Sequence, residues 1–227
     1  LILGELGLDG SIRGVNGVLP ALIAGHREGI KRAIIPIANI GEGSLLQSLE
    51  IVAFTNLREL LIYLRTGEGR SHTSEALEES ADPLLDFEDV AGQMRARFGA
   101  EVAAAGGHHL LLIGPPGAGK TMIASRIPTI LPPLTIEQSL EVTALHSVAG
   151  TLSERSPMSR MAPIVAPHHS ATRVAMVGGG AHVIRPGACS LAHHGVLFID
   201  EAPECASGIL DSLRQPLESG TITIARS

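Results

Sequence analysis

His109-Leu110-Leu111-Leu112-Ile113 runs directly into Gly114-Pro115-Pro116-Gly117-Ala118-Gly119-Lys120-Thr121, and then into Met122-Ile123-Ala124-Ser125-Arg126-Ile127. The apolar run is too short for an amphipathic surface helix and predicts a buried strand. The next eight residues read G-x-x-x-x-G-K-T, and the segment after them suits a helix. Strand, glycine-rich loop and helix in that order make a phosphate-binding unit. Glycines let the backbone fold tightly enough to aim several N–H groups at one point, where the positive end of the helix dipole adds its attraction for phosphate oxygens. Lys120 is then expected to reach the β- and γ-phosphates of ATP and Thr121 to hold Mg²⁺. The competing reading is a glycine-rich turn that carries Lys-Thr by chance.

Hydrolysis needs a second piece, and Gly195-Val196-Leu197-Phe198-Ile199-Asp200-Glu201 supplies a candidate. Four apolar residues predict a buried strand ending in two carboxylates. Lying parallel to the first strand, it would open onto the same crevice. Asp200 is placed to hold the metal through its water shell, and Glu201 to orient and polarise the attacking water. Lys120, Asp200 and Glu201 are therefore the candidate catalytic residues. Alone, an Asp-Glu pair after an apolar run also suits a helix N-terminus.

Composition limits the alternatives. The chain of 227 residues is 44% hydrophobic but only 2% aromatic, with no Trp and one Tyr. Its cores must be aliphatic, and stacking of bases on aromatic platforms is disfavoured. A net charge of −6 argues against a surface coated in positive potential and permits a local basic patch. Cys189 and Cys205 form no C-x-x-C pair and predict a reducing, cytoplasmic setting. No apolar run approaches the roughly 20 residues that span a bilayer, and no signal peptide is visible. The chain opens at Leu1 instead of Met, which leaves room for an upstream portion.

Taken in order, residues 1–65 predict a small α/β unit. A hairpin turns at Asp9-Gly10, a helix covers Val18 to Gly25, and Ala33-Ile34-Ile35 is a strand. Leu45 to Leu49 suggests a helical turn and Glu50 to Phe54 a strand. A helix follows over Leu57 to Leu64, with Leu57, Leu60, Leu61 and Leu64 on one face. Residues 66–85, rich in Gly, Ser, Thr and Glu, read as a solvated linker. Asp86 opens a second domain over 86–227, its first helix passing Gly99 toward Ala105. Thr135-Ile136-Glu137-Gln138 is a capping box for a helix toward Val148 that Gly150 stops. From Thr151 to Gly187 the pattern loosens into a long excursion. A helix over Glu204 to Leu217 and a strand over Thr221 to Ile224 complete the reading.

Two resemblances attach to these residues. Glu5-Leu6-Gly7-Leu8-Asp9-Gly10-Ser11-Ile12-Arg13, with Gly17-Val18-Leu19-Pro20, His26 to Ile30 and Ile34-Ile35-Pro36, resembles the C-terminal half of the Lon-type protease domain. The dyad lysine of that domain aligns with Leu19, which cannot activate a hydroxyl, so a catalytically silent Lon-like unit is implied. Ala166-Pro167-His168-His169-Ser170, Met176-Val177-Gly178-Gly179-Gly180, Arg185-Pro186-Gly187, Ser190 to Gly195 and Leu213 to Glu218 are similar to the magnesium-chelatase-like AAA+ ATPases of the YifB/ComM family. The fold implied for 86–227 is a P-loop three-layer αβα domain with a parallel sheet, cut before sensor 1, the arginine finger and the lid.

That second resemblance implies an ATP-hydrolysing motor that assembles as a homo-oligomeric ring, a hexamer when complete. Its excursion forms an insert facing the pore. It also implies action on DNA as a branch-migration helicase in natural transformation or recombination, with His168, His169, Arg173 and Arg185 as candidate DNA contacts. In the resembling ATPases the lead-in packs near adenine, which makes Val90 and Gly92 candidates for base contact, with Val90 equally readable as core. Val165 stands where the family usually carries arginine. The alternatives are a magnesium-chelatase-type motor subunit and a non-catalytic ATP-dependent scaffold. A metal reading of His108-His109, His168-His169 and His193-His194 is disfavoured, because adjacent side chains on a strand point to opposite faces.

Overall fold

A computed structural model describes residues 1–67, 85–152, 158–180 and 183–224. Most of the linker expected over 66–85 lies outside the described residues. The chain divides into two compact units, Leu1–Ser80 with Thr143–Ser159, and Ala81–Val142 with Arg160–Ser227.

In the first unit, β1 (Glu5–Leu6) and β2 (Ile12–Arg13) form the expected antiparallel hairpin, with Gly10 in the left-handed region at φ 83°. Helix α1 (Val18–Arg27) leads to β3 (Arg32–Pro36), α2 (Ile40–Gly43), β4 (Glu50–Phe54) and α3 (Leu57–Thr66). Strands β3 and β4 pair in parallel from Arg32↔Glu50 to Pro36↔Phe54. Both faces of this pair are buried, because successive side chains alternate. Ala33, Ile35 and Ala53 pack with Val18 and Leu22 on one face, and Ile34, Val52 and Phe54 pack with Leu60 on the other.

Two expectations for this unit change. The helical turn lies at Ile40–Gly43, and Leu45 to Leu49 form non-helical turns instead. On α3, Leu60 is buried and Leu57 half-buried against the cluster that holds Phe54, where Tyr63 joins them, whereas Leu61 and Leu64 are 43% and 54% exposed, so half of the expected leucine face packs inward.

A buried carboxylate holds the unit together. Gly17, the residue before α1, has no side chain to cap the helix, which leaves the first-turn amides without local partners. Glu42 supplies a remote cap. Its Oε2 accepts from the Leu19 amide at 3.0 Å and from the Ser147 hydroxyl, while Oε1 accepts from Asn39 Nδ2 at 2.8 Å. Asn39 in turn bonds both the N–H and the C=O of Val15. Leu19 itself is fully buried.

The second unit begins with a 3-10 turn at Phe87–Asp89, closed by a reciprocal cap between Asp86 and Asp89, and continues into α4 (Met94–Gly106). After the glycine-rich loop come α5 (Lys120–Ala124), a 3-10 turn at Ile127–Ile130, and α6 (Ile136–Ala149), which belongs to this unit up to Val142 and to the first unit from Thr143. The capping box at the start of α6 forms as expected: Gln138 N donates to Thr135 Oγ1, and Thr135 N donates to Gln138 Oε1. Gly150 follows at φ 72°.

Beyond it lie β5 (Ile164–Val165), α7 (Arg173–Val177), β6 (Gly178–Gly179), β7 (Arg185–Pro186), α8 (Ala188–Leu191) and β8 (Val196–Leu197). Short helices α9 (Ser207–Ser212) and α10 (Arg214–Ser219) follow. One core gathers Phe87, Val90, Ala100 and Ile123, and another gathers Met176, Ala188, Ile209 and Leu213.

The architecture is mixed α/β, with sheets among the described residues that are only two strands wide. Strand β8 runs parallel to β5, not to His109–Ile113. The expected strand at His109–Ile113 joins no ladder, and Leu111 and Ile113 are 78% and 88% exposed. A buried strand needs a hydrogen-bonding neighbour as well as a covered face; among the described residues this segment joins no ladder, while Leu112 packs half-buried against the cluster of Phe87, Val90, Ala100 and Ile123. The helix expected over Glu204 to Leu217 is broken in two at Leu213, and Thr221 to Ile224 form no strand. No helix among the described residues is long and apolar enough to cross a membrane.

Candidate active site

The glycine-rich loop is exposed through Gly114, Pro115, Pro116 and Gly117, and Ala118, Gly119 and Lys120 are half-buried. Gly117 and Gly119 take φ of 77° and 83°, a conformation costly for any residue with a Cβ, and Gly119 immediately precedes α5. Lys120 folds back so that Nζ donates to the carbonyls of Gly114 and Pro115, both at 3.0 Å. An ammonium held over the mouth of the loop is available to an incoming anion at the cost of two exposed hydrogen bonds.

Thr121, one residue further into α5, donates its hydroxyl to Asp200 Oδ2 at 2.8 Å. The other Asp200 oxygen accepts from the Glu201 amide at 3.0 Å. A short ladder aims this acidic end. Val196 N donates to Pro163 O and Phe198 N to Val165 O, carrying the parallel pairing of β5 and β8 toward Asp200. Glu201 then turns into the left-handed region at φ 50°, unusual for a residue with a side chain. The lead-in reaches the same loop: Gln93 Nε2 donates to Ala118 O at 3.0 Å. Val90 is fully buried beside Phe87 and Ile123, whereas Gly92 is exposed at φ 70°.

His169 is drawn to the acidic end. Its Nδ1 lies 3.2 Å from Glu201 Oε2 and its Nε2 3.8 Å from Glu204 Oε2. His168 instead bonds Ser170 Oγ at 2.7 Å, with its ring 4.0 Å from that of His169. Arg173 and Arg185 are exposed at the first turn of α7 and on β7. Gly178 and Gly179 are buried and pair with Pro186 and Arg185 as a small hairpin. A Cβ on Gly178 would meet Arg185 O at 2.8 Å and Gly187 N at 3.0 Å, so the glycine serves close backbone pairing there. Gln93 and the His169–Glu201 contact are the features that sequence reasoning passed over. Both depend on loop paths that no local pattern encodes.

The sequence profile described as "Magnesium chelatase, subunit ChlI" matches residues 86–227, the segment that carries the glycine-rich loop and Asp200-Glu201. The chain belongs to the magnesium chelatase ChlI family. A further ChlI profile, "Subunit ChlI of Mg-chelatase", matches residues 1–39. Among similar proteins, an uncharacterized protein of Mycobacterium tuberculosis is 51% identical over 229 residues, covering 100% of this chain and 45% of its own length. Competence protein ComM of Haemophilus influenzae is 42% identical over 229 residues, covering 98% of this chain and 44% of its own. The protein YifB of Salmonella typhimurium is 42% identical over 231 residues, covering 100% of this chain and 44% of its own. The chain thus spans less than half the length of these relatives.

Proposed function

We propose that this chain carries the ATP-binding and ATP-hydrolysing core of an AAA+ motor that acts on DNA. One observation supports the reading above all: the hydroxyl that ends the phosphate loop and the first carboxylate after β8 lie 2.8 Å apart, although 79 residues separate them in sequence. A hydroxyl and an ionised carboxylate side by side suit the hard-oxygen preference of Mg²⁺, so the residues present fit that ion. When bound, Mg²⁺ would neutralise charge on the β- and γ-phosphate oxygens.

The chain's own groups take the remaining roles. Lys120 leaves the carbonyls of Gly114 and Pro115 for the phosphates, and the amides from Gly117 to Thr121 cradle them. Glu201 orients the attacking water and takes up its proton as the γ-phosphoryl group is transferred. His169 holds the Glu201 carboxylate and is a positioning residue. Val90 and Gly92 flank the base, with Val90 acting through its backbone because its side chain is buried. His168, Arg173 and Arg185 contact DNA phosphates, and a cytoplasmic hexameric ring brings successive copies of this surface around a strand. The first unit, with Leu19 where a Lon-type dyad lysine would stand, serves assembly.

A chelatase-type motor is the second reading, favoured by the description of the matching family. The full-length protein separates the two. Forked or four-way DNA is expected to raise its ATP turnover in a salt-sensitive manner. Lys120→Ala is expected to weaken ATP binding by roughly 10–100-fold, the size of one lost charged hydrogen bond. DNA-insensitive turnover that responds to a porphyrin substrate would favour the chelatase reading, and undiminished ATP affinity in Lys120→Ala would overturn the nucleotide site itself.

A further inference from the structure

The turn between α8 and β8 gathers a group of side chains that the nucleotide site does not use. His193 Nε2 lies 3.3 Å from Glu141 Oε2 on α6, and His194 Nε2 lies 2.7 Å from the same oxygen. The three atoms fall within 4.8 Å of one another. Adjacent histidines on a strand would face opposite ways, but this pair lies before β8, and His194 has φ 56°. The left-handed residue turns the second ring back, so the two rings lie with centroids 3.9 Å apart, tilted by 46°, and present like atoms to one carboxylate.

We propose that Glu141, His193 and His194 form a Zn²⁺ site that ties α6 to the turn feeding β8. Two imidazole nitrogens and a carboxylate oxygen are a ligand set that zinc accepts, and three protein ligands leave a fourth position for water. Ligand bonds of about 2.0–2.1 Å at tetrahedral angles put neighbouring donor atoms about 3.3 Å apart. The His193–Glu141 separation already matches, and the His194–Glu141 separation must open by about half an ångström from hydrogen-bond length. The side chains are 45%, 26% and 60% exposed for His193, His194 and Glu141, so the ion has an open route in. In the metal-free arrangement each Nε2–H donates to Oε2. Binding places the imidazole hydrogen on Nδ1 and turns the Nε2 lone pair to the ion. The other such group among the described residues, His169 with Glu201 and Glu204, belongs to the candidate active site and provides an internal control.

The test is titration of the full chain with Zn²⁺ against a chromophoric chelator, together with X-ray absorption on the loaded protein. One equivalent is expected, with two imidazole nitrogens at about 2.0–2.1 Å in the metal's shell. Glu141→Gln and His194→Ala should each weaken binding by about 10-fold or more, while His169→Ala leaves it within about 2-fold. Binding that survives both substitutions, that is lost in His169→Ala instead, or that shows no imidazole in the shell would overturn the site. The absorption spectrum is read on the unsubstituted chain, so the proposal stays falsifiable even if a variant misfolds.

Discussion

Thr121 Oγ1 and Asp200 Oδ2 share a hydrogen bond of 2.8 Å, joining the end of the phosphate loop to the segment that follows β8. Neither residue's own neighbours in sequence require this. The contact arises because α5 starts at Lys120 and the β5–β8 ladder delivers Asp200 to its first turn.

His169 bears on the turnover of ATP and not on its capture. Its ring touches Glu201 and Glu204 but makes no described contact with the phosphate loop. His169→Ala in the full-length protein should lower kcat by roughly 10-fold or more, within the range for a positioned acid-base group, with KM nearly unchanged. Steady-state kinetics read the split. An effect confined to KM would remove His169 from the positioning role.

Glu42 predicts a stability effect without a functional one. Its carboxylate is 8% exposed and serves Leu19, Asn39 and Ser147 at once. Glu42→Ala strands three buried donors, each worth about 1–3 kcal/mol when unsatisfied, so a loss of about 3 kcal/mol or more is expected. Glu42→Gln retains an acceptor and should cost less. Urea denaturation compares them; equal costs would show that cavity formation, not donor satisfaction, decides.

Asp9 carries the pH dependence of the hairpin. The Ser11 hydroxyl at 2.6 Å, and then the Ser11 amide at 3.0 Å, hold its carboxyl below the usual aspartate range. A carboxyl whose pKa falls on folding contributes stability above its unfolded pKa and loses it as pH drops through the folded value. Carboxyl NMR should place the Asp9 midpoint below that of an unstructured aspartate, and Ser11→Ala should move it up. An unmoved midpoint would contradict the assigned cause.

Local patterns were legible where chemistry acts over a few residues. The Asp9-Gly10 turn, the alternation of β3 and β4, the Thr135–Gln138 capping box and the loop from Gly114 to Thr121 all appear in the structure. Long-range pairing was not legible. An apolar run such as His109–Ile113 reads as a buried strand, yet burial depends on what lies beside it, and Leu111 and Ile113 are exposed. The leucines of α3 misled in a related way. Periodicity showed one apolar face, but of its leucines Leu57 and Leu60 pack inward beside Tyr63, while Leu61 and Leu64 are exposed. His169 beside Glu201, and His193 with His194 on Glu141, depend on loop turns that spacing along the chain does not encode.

The pairing of Thr121 with Asp200 as one metal-dependent unit can be measured through Mg²⁺-dependent binding of a fluorescent ATP analogue to the unsubstituted chain, Thr121→Ala, Asp200→Asn and the double variant. Each single substitution should abolish most of the Mg²⁺-dependent gain, and the double should bind no worse than the weaker single, with a coupling of about 0.5–3 kcal/mol. Single variants that keep the full Mg²⁺ response, or losses that simply add, would contradict the account.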